Sequence, residues 1–516
     1  MNRRLQLGQI LVTPRSACFE LSNGECYRSP EPHEALLDGR TVWQGRENVF
    51  TLNDLQPGTA HQLLVRSGGE ERGATFTTAP EGPTVEPRSF GGIGNGSADD
   101  SGALQRAIDA CPAGGRVFIP EGNWLTTPLF LKSNLDLHLA RGARLLGHPD
   151  IERWPVLPAL RGGQVLATWE GEALPSHAGL ITGIDLQNVR IYGQGVIDGN
   201  ASQETWWSRP KAMFGGWRPR TLHLIRSQNI ALEGVTLCNS PAWTVHPFRC
   251  KHLTIARIQV EAPLTSPNTD GINPECCEDV RIAGVQISTG DDCIALKSGK
   301  ISLARWGAVP TRHVRISNSL MQNGHGAIVI GSEMAGGVYD VVARDCLFTG
   351  TDRGLRLKTR RGRGKDAIVD GIQLQNVRME RVGTPFVINS FYWCDPDGKA
   401  PHVGDRRPHP VDAGTPSLRN ISLEDVLCTQ VQHSAGYVLG LPEQPPENLR
   451  VRNYRVVFDP HATPGEPDMA EGIVAVAREG FRVLNVRGLS LENVQIEGAE
   501  GPEWLKDNVS MKEPAC

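Results

Sequence analysis

Three aspartates, a histidine and two basic residues carry the chemistry legible in this chain. The stretch from Ser266 to Gly299 holds Asp270, within Asn268-Thr269-Asp270-Gly271, and the pair Asp291 and Asp292, within Gly290-Asp291-Asp292-Cys293. Further along come His325, between Gly324 and Gly326, and Arg356 and Lys358, separated by one leucine. Paired carboxyls with no nearby set of cysteine or histidine ligands suit glycosidic bond cleavage, in which one carboxyl protonates the leaving oxygen and another activates water. Three carboxyls sharing a site cannot all ionise freely, so at least one keeps its proton to a higher pH and can serve as the acid. Residues two apart on a strand face the same side, so Arg356 and Lys358 could together hold an anionic sugar through charge-assisted bonds. The ligand implied is an acidic oligo- or polysaccharide, with no metal and no cofactor expected.

These residues need a scaffold that brings distant segments together. Between the aspartate sites, Val280 to Ile287 alternates branched apolar residues with others, the period of a strand. From Asn188 onward a loose repeat recurs, with a polar or small residue, alternating apolar positions and then a turn. It is seen at 188–191, 229–232, 252–255, 279–282, 313–316, 340–343, 371–374, 420–423 and 487–491. The irregular spacing fits coils with inserted loops, and each coil has too little apolar surface to fold alone. The expected architecture is therefore all-β, a right-handed parallel β-helix whose equivalent residues stack about 4.8 Å apart. Asp291 lies eleven residues after Val280, and His325 eleven after Val314. Four consecutive coils thus place polar residues at related positions along one groove.

Taken singly, each motif has a plainer reading. The Asn-Thr-Asp-Gly and Gly-Asp-Asp runs could close turns, His325 could be a loop histidine, and residues 356–365 could form a solvated charged corner. Their joint occurrence at related coil positions favours a catalytic groove.

Residues 1–83 have a different texture, with short alternating segments, a Leu55-Gln56-Pro57-Gly58-Thr59 turn and a Thr75-Phe76-Thr77-Thr78 ending before Glu81-Gly82-Pro83. This resembles a fibronectin type III module, which implies a small β-sandwich; such modules are more often spacers than catalysts, and the sequence leaves the role of this one open. The β-helix would then occupy 84–516 and open with a cap helix near 99–111, after Asp99-Asp100-Ser101.

The 516 residues include 57 glycines and 36 prolines, and the formal net charge is −4 with 21% charged residues. No strong field points to nucleic acid, and no apolar window is long enough to span a bilayer. The N-terminus shows no recognisable secretory leader, and the twelve cysteines lack metal-type pairing. A cytoplasmic protein with reduced thiols is expected, or a periplasmic or secreted one if a leader has been removed.

The four motifs in this order, Asn268-Thr269-Asp270, Gly290-Asp291-Asp292, Gly324-His325-Gly326 and Arg356-Leu357-Lys358, resemble the signatures of the polygalacturonases of glycoside hydrolase family 28. The likeness runs from about Arg88 to near Glu497. It implies hydrolysis of α-1,4-linked galacturonate with inversion. By that likeness Asp291 is the general acid, Asp270 and Asp292 activate water, His325 supports the acid, and Arg356 and Lys358 bind a galacturonate carboxylate. Asn268 and Tyr392 would contact substrate. The N-terminal module and the basic run look like the bacterial exo-acting members, and two inserts, Ser202–Arg220 and Trp393–Pro416, could wall off one end of the groove. Alternatives are an endo-acting enzyme, rhamnogalacturonan hydrolysis, a pectate-lyase-like eliminase on the same fold, and a carbohydrate-binding solenoid without catalysis.

Overall fold

The computed structural model describes residues 4–512. From residue 84 onward the chain winds into a parallel β-helix. Strands Leu135–Leu139, Gln187–Gly193, Gln228–Glu233, Lys251–Ala256, Glu278–Ala283, Thr311–Ser317 and Val338–Thr349 follow one another along one face. Their pairing puts Leu135, Val189, Ile230, Leu253, Val280, Val314, Val341, Ile372, Ile421 and Leu449 in a single row. Every member of this row is buried. One contiguous apolar core runs from Leu104 to Ile496.

The repeat has a physical cause. One position before each row member sits Asn134, Asn188, Asn229, His252, Asp279, His313, Asp340, Gly371, Asn420 or Asn448, all with φ between 50° and 74°. The chain turns its corner there in the left-handed region, which asparagine, aspartate and glycine enter most readily. The asparagines also bond from coil to coil: Asn188 Nδ2 donates to Asn134 Oδ1 (2.8 Å) and Asn229 Nδ2 to Asn188 Oδ1 (3.2 Å). All nine repeats read from the sequence lie on strands of this ladder. The coils at Leu135–Leu139, Glu447–Phe458 and Trp504–Met511 were not among them.

The cap helix spans Ser101–Ala110 and buries Leu104, Ala107 and Ile108. Its capping differs from expectation. Asp100 occupies the cap position but turns its carboxylate onto the backbone N–H groups of Ile93 and Gly94 (2.7 and 2.9 Å). Asp99 Oδ1 instead accepts from Ser101 N (3.0 Å).

The N-terminal strands form two antiparallel sheets, one of three strands and one of four. Phe19 and Phe50 from the first meet Val65 and Phe76 from the second in a shared core. This sandwich is docked on the β-helix. Glu20 binds Asn318 Nδ2 (2.8 Å) and Arg281 Nη2 (3.0 Å), and Asn48 Nδ2 donates to Asn318 Oδ1 (3.0 Å). Gly284, with φ 64°, lies directly against Val49, where a β-carbon would collide. The joining segment is fastened too, since Glu81 pairs with Arg15 (2.7 Å) and Arg116 (2.8 Å). Among the described residues no helix is long and apolar enough to cross a membrane.

The left-handed ladder makes a stability prediction. Asn229→Ala should destabilise by about 1–2 kcal/mol and Asn229→Gly by less, because only glycine keeps the left-handed conformation without strain. Denaturant midpoints of the two variants check this. Equal losses would mean that the side-chain bond, not the backbone conformation, matters at this corner.

Candidate active site

The catalytic candidates sit where each coil leaves its shortest strand. Asp291 and Asp292 follow Gln286–Ser288 and precede Ile294–Leu296. Asp270 lies on the loop one coil back, and Ile272 beside it bridges to both Val245 and Ile294. Backbone bonds tie these turns together: Gly271 N donates to Asp292 O (3.0 Å), Cys293 N to Gly326 O (2.8 Å) and His325 N to Asp291 O (3.1 Å). Gly324 has φ 83° and packs on the Asp291 carbonyl, so no side chain fits there. The Gly-His-Gly motif is in this respect a packing requirement as well as a chemical one.

This construction gathers the three carboxyls, and one oxygen from each of Asp270, Asp291 and Asp292 lies within 4.8 Å of the others. Asp270 and Asp292 are buried and Asp291 is half-buried. Their surroundings split them. Burial and the neighbouring Asp291 push the Asp270 carboxyl well above the usual range, against Lys297 Nζ at 3.8 Å and the Asn273 amide donating to Oδ2 at 2.8 Å. Burial also acts to raise Asp292, but Lys358 Nζ at 2.7 Å from Oδ2 and Arg356 Nη1 at 3.6 Å from Oδ1 outweigh it and hold it down to about 2. The surroundings therefore separate the two carboxyls, favouring the protonated form of Asp270 and the ionised form of Asp292. Three convergent carboxyls could also suit a divalent cation, but the ammonium groups of Lys297 and Lys358 already supply positive charge there. A second acidic group, Glu278, Asp279 and His313, lies on the surface, where Lys251 and Arg312 pair with Glu278.

Arg356 and Lys358 lie on Arg353–Lys358, two coils beyond Ile294–Leu296. The charged run is not a solvated corner. Arg353, Arg356, Lys358, Arg360, Arg361 and Arg363 are each between 1% and 8% exposed. Tyr392 is buried with its ring beneath both Arg356 (5.5 Å) and Lys358 (5.2 Å), so it forms a platform for the cation pair. The Asn268 side-chain oxygen is taken by Arg218 Nη2 (2.6 Å), which ties this motif to the inserted wall. His325 is half-exposed and its Nδ1 meets Asp352 Oδ2 at 2.7 Å. That bond raises the imidazole pKa against partial burial, with help from Asp291.

Several partners escaped the sequence reading. Asp468 accepts from Arg356 Nε (2.9 Å) and Nη2 and from Asn389 Nδ2 (2.9 Å). It lies in an inserted loop without periodicity, so nothing marked it. Lys297 pairs with Glu333 (2.9 Å) and lies over Trp243 (4.4 Å). Its place five residues after Asp292 was a signal that went unused. Asp352 sits one residue before the basic strand and likewise stood out by nothing but proximity.

Comparison with known proteins agrees with this geometry. The family model described as Glycosyl hydrolases family 28 matches residues 162–463. A probable polygalacturonase from Vitis vinifera is 32% identical over 412 residues, 76% of this chain and 80% of the relative. The chain belongs to glycosyl hydrolase family 28. The exopolygalacturonase structure from Thermotoga maritima is similar at 28% identity and TM-score 0.66, over 81% of this chain and 92% of that one. The family 28 exopolygalacturonase from Yersinia enterocolitica shares the fold at TM-score 0.74 and 20% identity, covering 99% and 98% of the two chains.

In this glycoside hydrolase two inserts reach the carboxyl site, one through Arg218 on Asn268 and the other through Asp468 on Arg356. The first wall starts earlier than the sequence suggested, including short hairpins from Val156 onward. Trp206 and Trp207 are buried in it, while Trp217 stacks on Trp169 (4.9 Å). Trp169, Arg220, Trp243 and Lys297 then alternate ring and cation toward Asp270. The second wall joins residues 393–416 to 459–478. Lys300 binds both walls, with Nζ 3.1 Å from Glu172 of the first and 3.1 Å from Asp395 of the second.

The His325 contact gives a pH prediction. The histidine's raised pKa depends first on Asp352, so Asp352→Asn should let His325 lose its proton at lower pH. Any activity that needs the imidazolium would then fall off earlier on the alkaline side. An NMR titration of His325 reads this directly, and an unchanged or higher pKa would contradict the assignment.

Proposed function

We propose that this chain hydrolyses the α-1,4-glycosidic bonds of galacturonan, releasing short products from a chain end. The observation that carries this reading is the cluster of three carboxyls within 4.8 Å, flanked by Arg356 and Lys358. Glycoside hydrolysis needs an acid for the leaving oxygen and a base for water, and the split ionisation of the cluster supplies both states. Fixed cations beside it suit a sugar that carries a carboxylate at each unit. The Vitis and Thermotoga relatives, a probable polygalacturonase and an exopolygalacturonase, support the same substrate class.

In this reading Asp291, the most accessible of the three, protonates the leaving oxygen with His325 beside it. Asp292, ionised, takes the proton of the attacking water, which Asp270 helps to orient. Arg356 and Lys358 hold the adjoining carboxylate over Tyr392. The outcome is inversion, although the carboxyls lie closer than the roughly 6.5–9.5 Å usual for inverting pairs. Proton NMR of the first product formed distinguishes the two courses.

One observation favours a second assignment, since the group whose pKa is raised most plainly is Asp270. In that version Asp270 is the acid. Substrates with good leaving groups separate the two, because they need no protonation. Asp291→Asn should cost about 10²–10⁴ in turnover of oligogalacturonide but far less with an aryl galacturonide. If Asp270→Asn shows that pattern instead, the roles exchange. If the wild type yields unsaturated products, or none, from oligogalacturonides, the hydrolase reading itself fails.

Chain-end selectivity rests on the joined walls. Lys300→Met removes the link between Glu172 and Asp395 and should open the blocked end. The expected result is a shift from mono- or digalacturonate toward mid-length products on chromatography. An unchanged product distribution would remove this link from the account of exo action.

A further inference from the structure

A cavity of about 690 Å³ lies away from the carboxyls, where the N-terminal sandwich meets the β-helix. A second of about 320 Å³ adjoins it, sharing Asn53, Asp54, Arg141 and Gln194. The combined space is in the range of small-ligand sites. Its two walls differ in chemistry. The sandwich side presents Leu37, Leu55 and Trp43, whose indole rests one face on Phe50 (centroids 4.5 Å, interplanar angle 17°). The β-helix side presents Arg141, Gln194, Thr236, Arg257 and Gln259.

The charges in this cavity are incompletely matched. Arg257 is half-buried, yet among the described residues its guanidinium has no hydrogen bond and no carboxylate within 4 Å. Glu233 beside it spends its oxygens on Thr51 (2.7 Å) and Ser16 (3.1 Å), and burial pushes its pKa up. Arg141 makes one side-chain bond, to the neutral Gln194 Oε1 at 3.0 Å. Asp54 is the opposing charge, on the exposed rim shared with the second cavity, where it also acts on Arg15. Arg257 acts on the Glu233 carboxyl from a distance, but its guanidinium N–H groups remain open to an anion that can accept charge-assisted bonds. Two guanidiniums, three amides and an indole in one cavity are the equipment for a sugar that carries carboxylates.

Position connects this cavity to the groove. Strands Thr236–Cys238 and Gln259–Glu261 begin at the cavity, and the loop after the second of them carries Asp270. Their neighbour Gln286–Ser288 leads directly to Asp291. We propose that the junction between sandwich and β-helix is a second binding site for an acidic oligosaccharide, separate from the catalytic groove. This rests on the galacturonan reading, and it gives the docked sandwich a function as one wall of a ligand site.

The test uses the full chain carrying Asp291→Asn, titrated with trigalacturonate by calorimetry. Two sites are expected. Adding Arg257→Met should leave one, with the other weakened about tenfold or more, the loss expected for a charge-assisted bond. Gln259→Leu should weaken the same site, and an uncharged galactose trisaccharide should not fill it. A single site that neither substitution changes overturns this proposal while leaving the galacturonan reading intact. No binding of trigalacturonate at all overturns both.

Discussion

Three carboxyl groups forced into one buried place are the constraint on which the rest of the site depends. Like charges at such separations, away from water, cannot all ionise, and each must find a cation or keep its proton. Asp292 finds two cations, in Lys358 and Arg356. Asp270 has Lys297 only at 3.8 Å, and burial with Asp291 beside it pushes its carboxyl pKa well up instead. The cations themselves need anchoring, so Arg356 is held by Asp468 and Lys297 by Glu333. The wall loops supply the first of these anchors and the Trp169 ring over Arg220, while Trp243 from a turn of the coil lies between Arg220 and Lys297, so walls and carboxyls form one electrostatic structure.

The β-helix makes that crowding possible. Its parallel register places coil upon coil at a fixed spacing, and side chains from successive coils therefore converge without any one loop having to fold upon itself. The corner asparagines, aspartates and glycines set where each strand begins, and the backbone bonds between successive turns set where the aspartates end. A docked sandwich covers a different corner of the same coils, pinned through Glu20, Asn48 and Glu81.

The ladder was legible because its cause is local. A left-handed corner favours Asn, Asp or Gly, and the next position must be apolar, so each coil repeats the same signature whatever its loops contain. The motif residues were legible for a related reason: Asp270, Asp291, Asp292, His325, Arg356 and Lys358 follow the strands by similar offsets. Asp468, Trp169 and Glu172 had no such marker, since they lie in inserts whose course is set by contacts with distant segments. The docking of residues 1–83 was hidden for a similar reason. Sequence showed the sandwich but not that Glu20, Asn48 and Gly284 would close its interface with the coil. Nor could it show that five arginines and a lysine in residues 353–363 would be buried, because each is matched by groups far along the chain, such as Asp468 and Glu443.

The split ionisation of the aspartates is the central claim, and a carbon-13 NMR titration of the aspartate side-chain carboxyls tests it most directly. Asp292 should titrate near 2, and Asp270 should keep its proton well past the ordinary carboxyl range. Titration of all three together near the ordinary value of about 3.9 would contradict the account, because the cations placed around Asp292 would then have no differential effect.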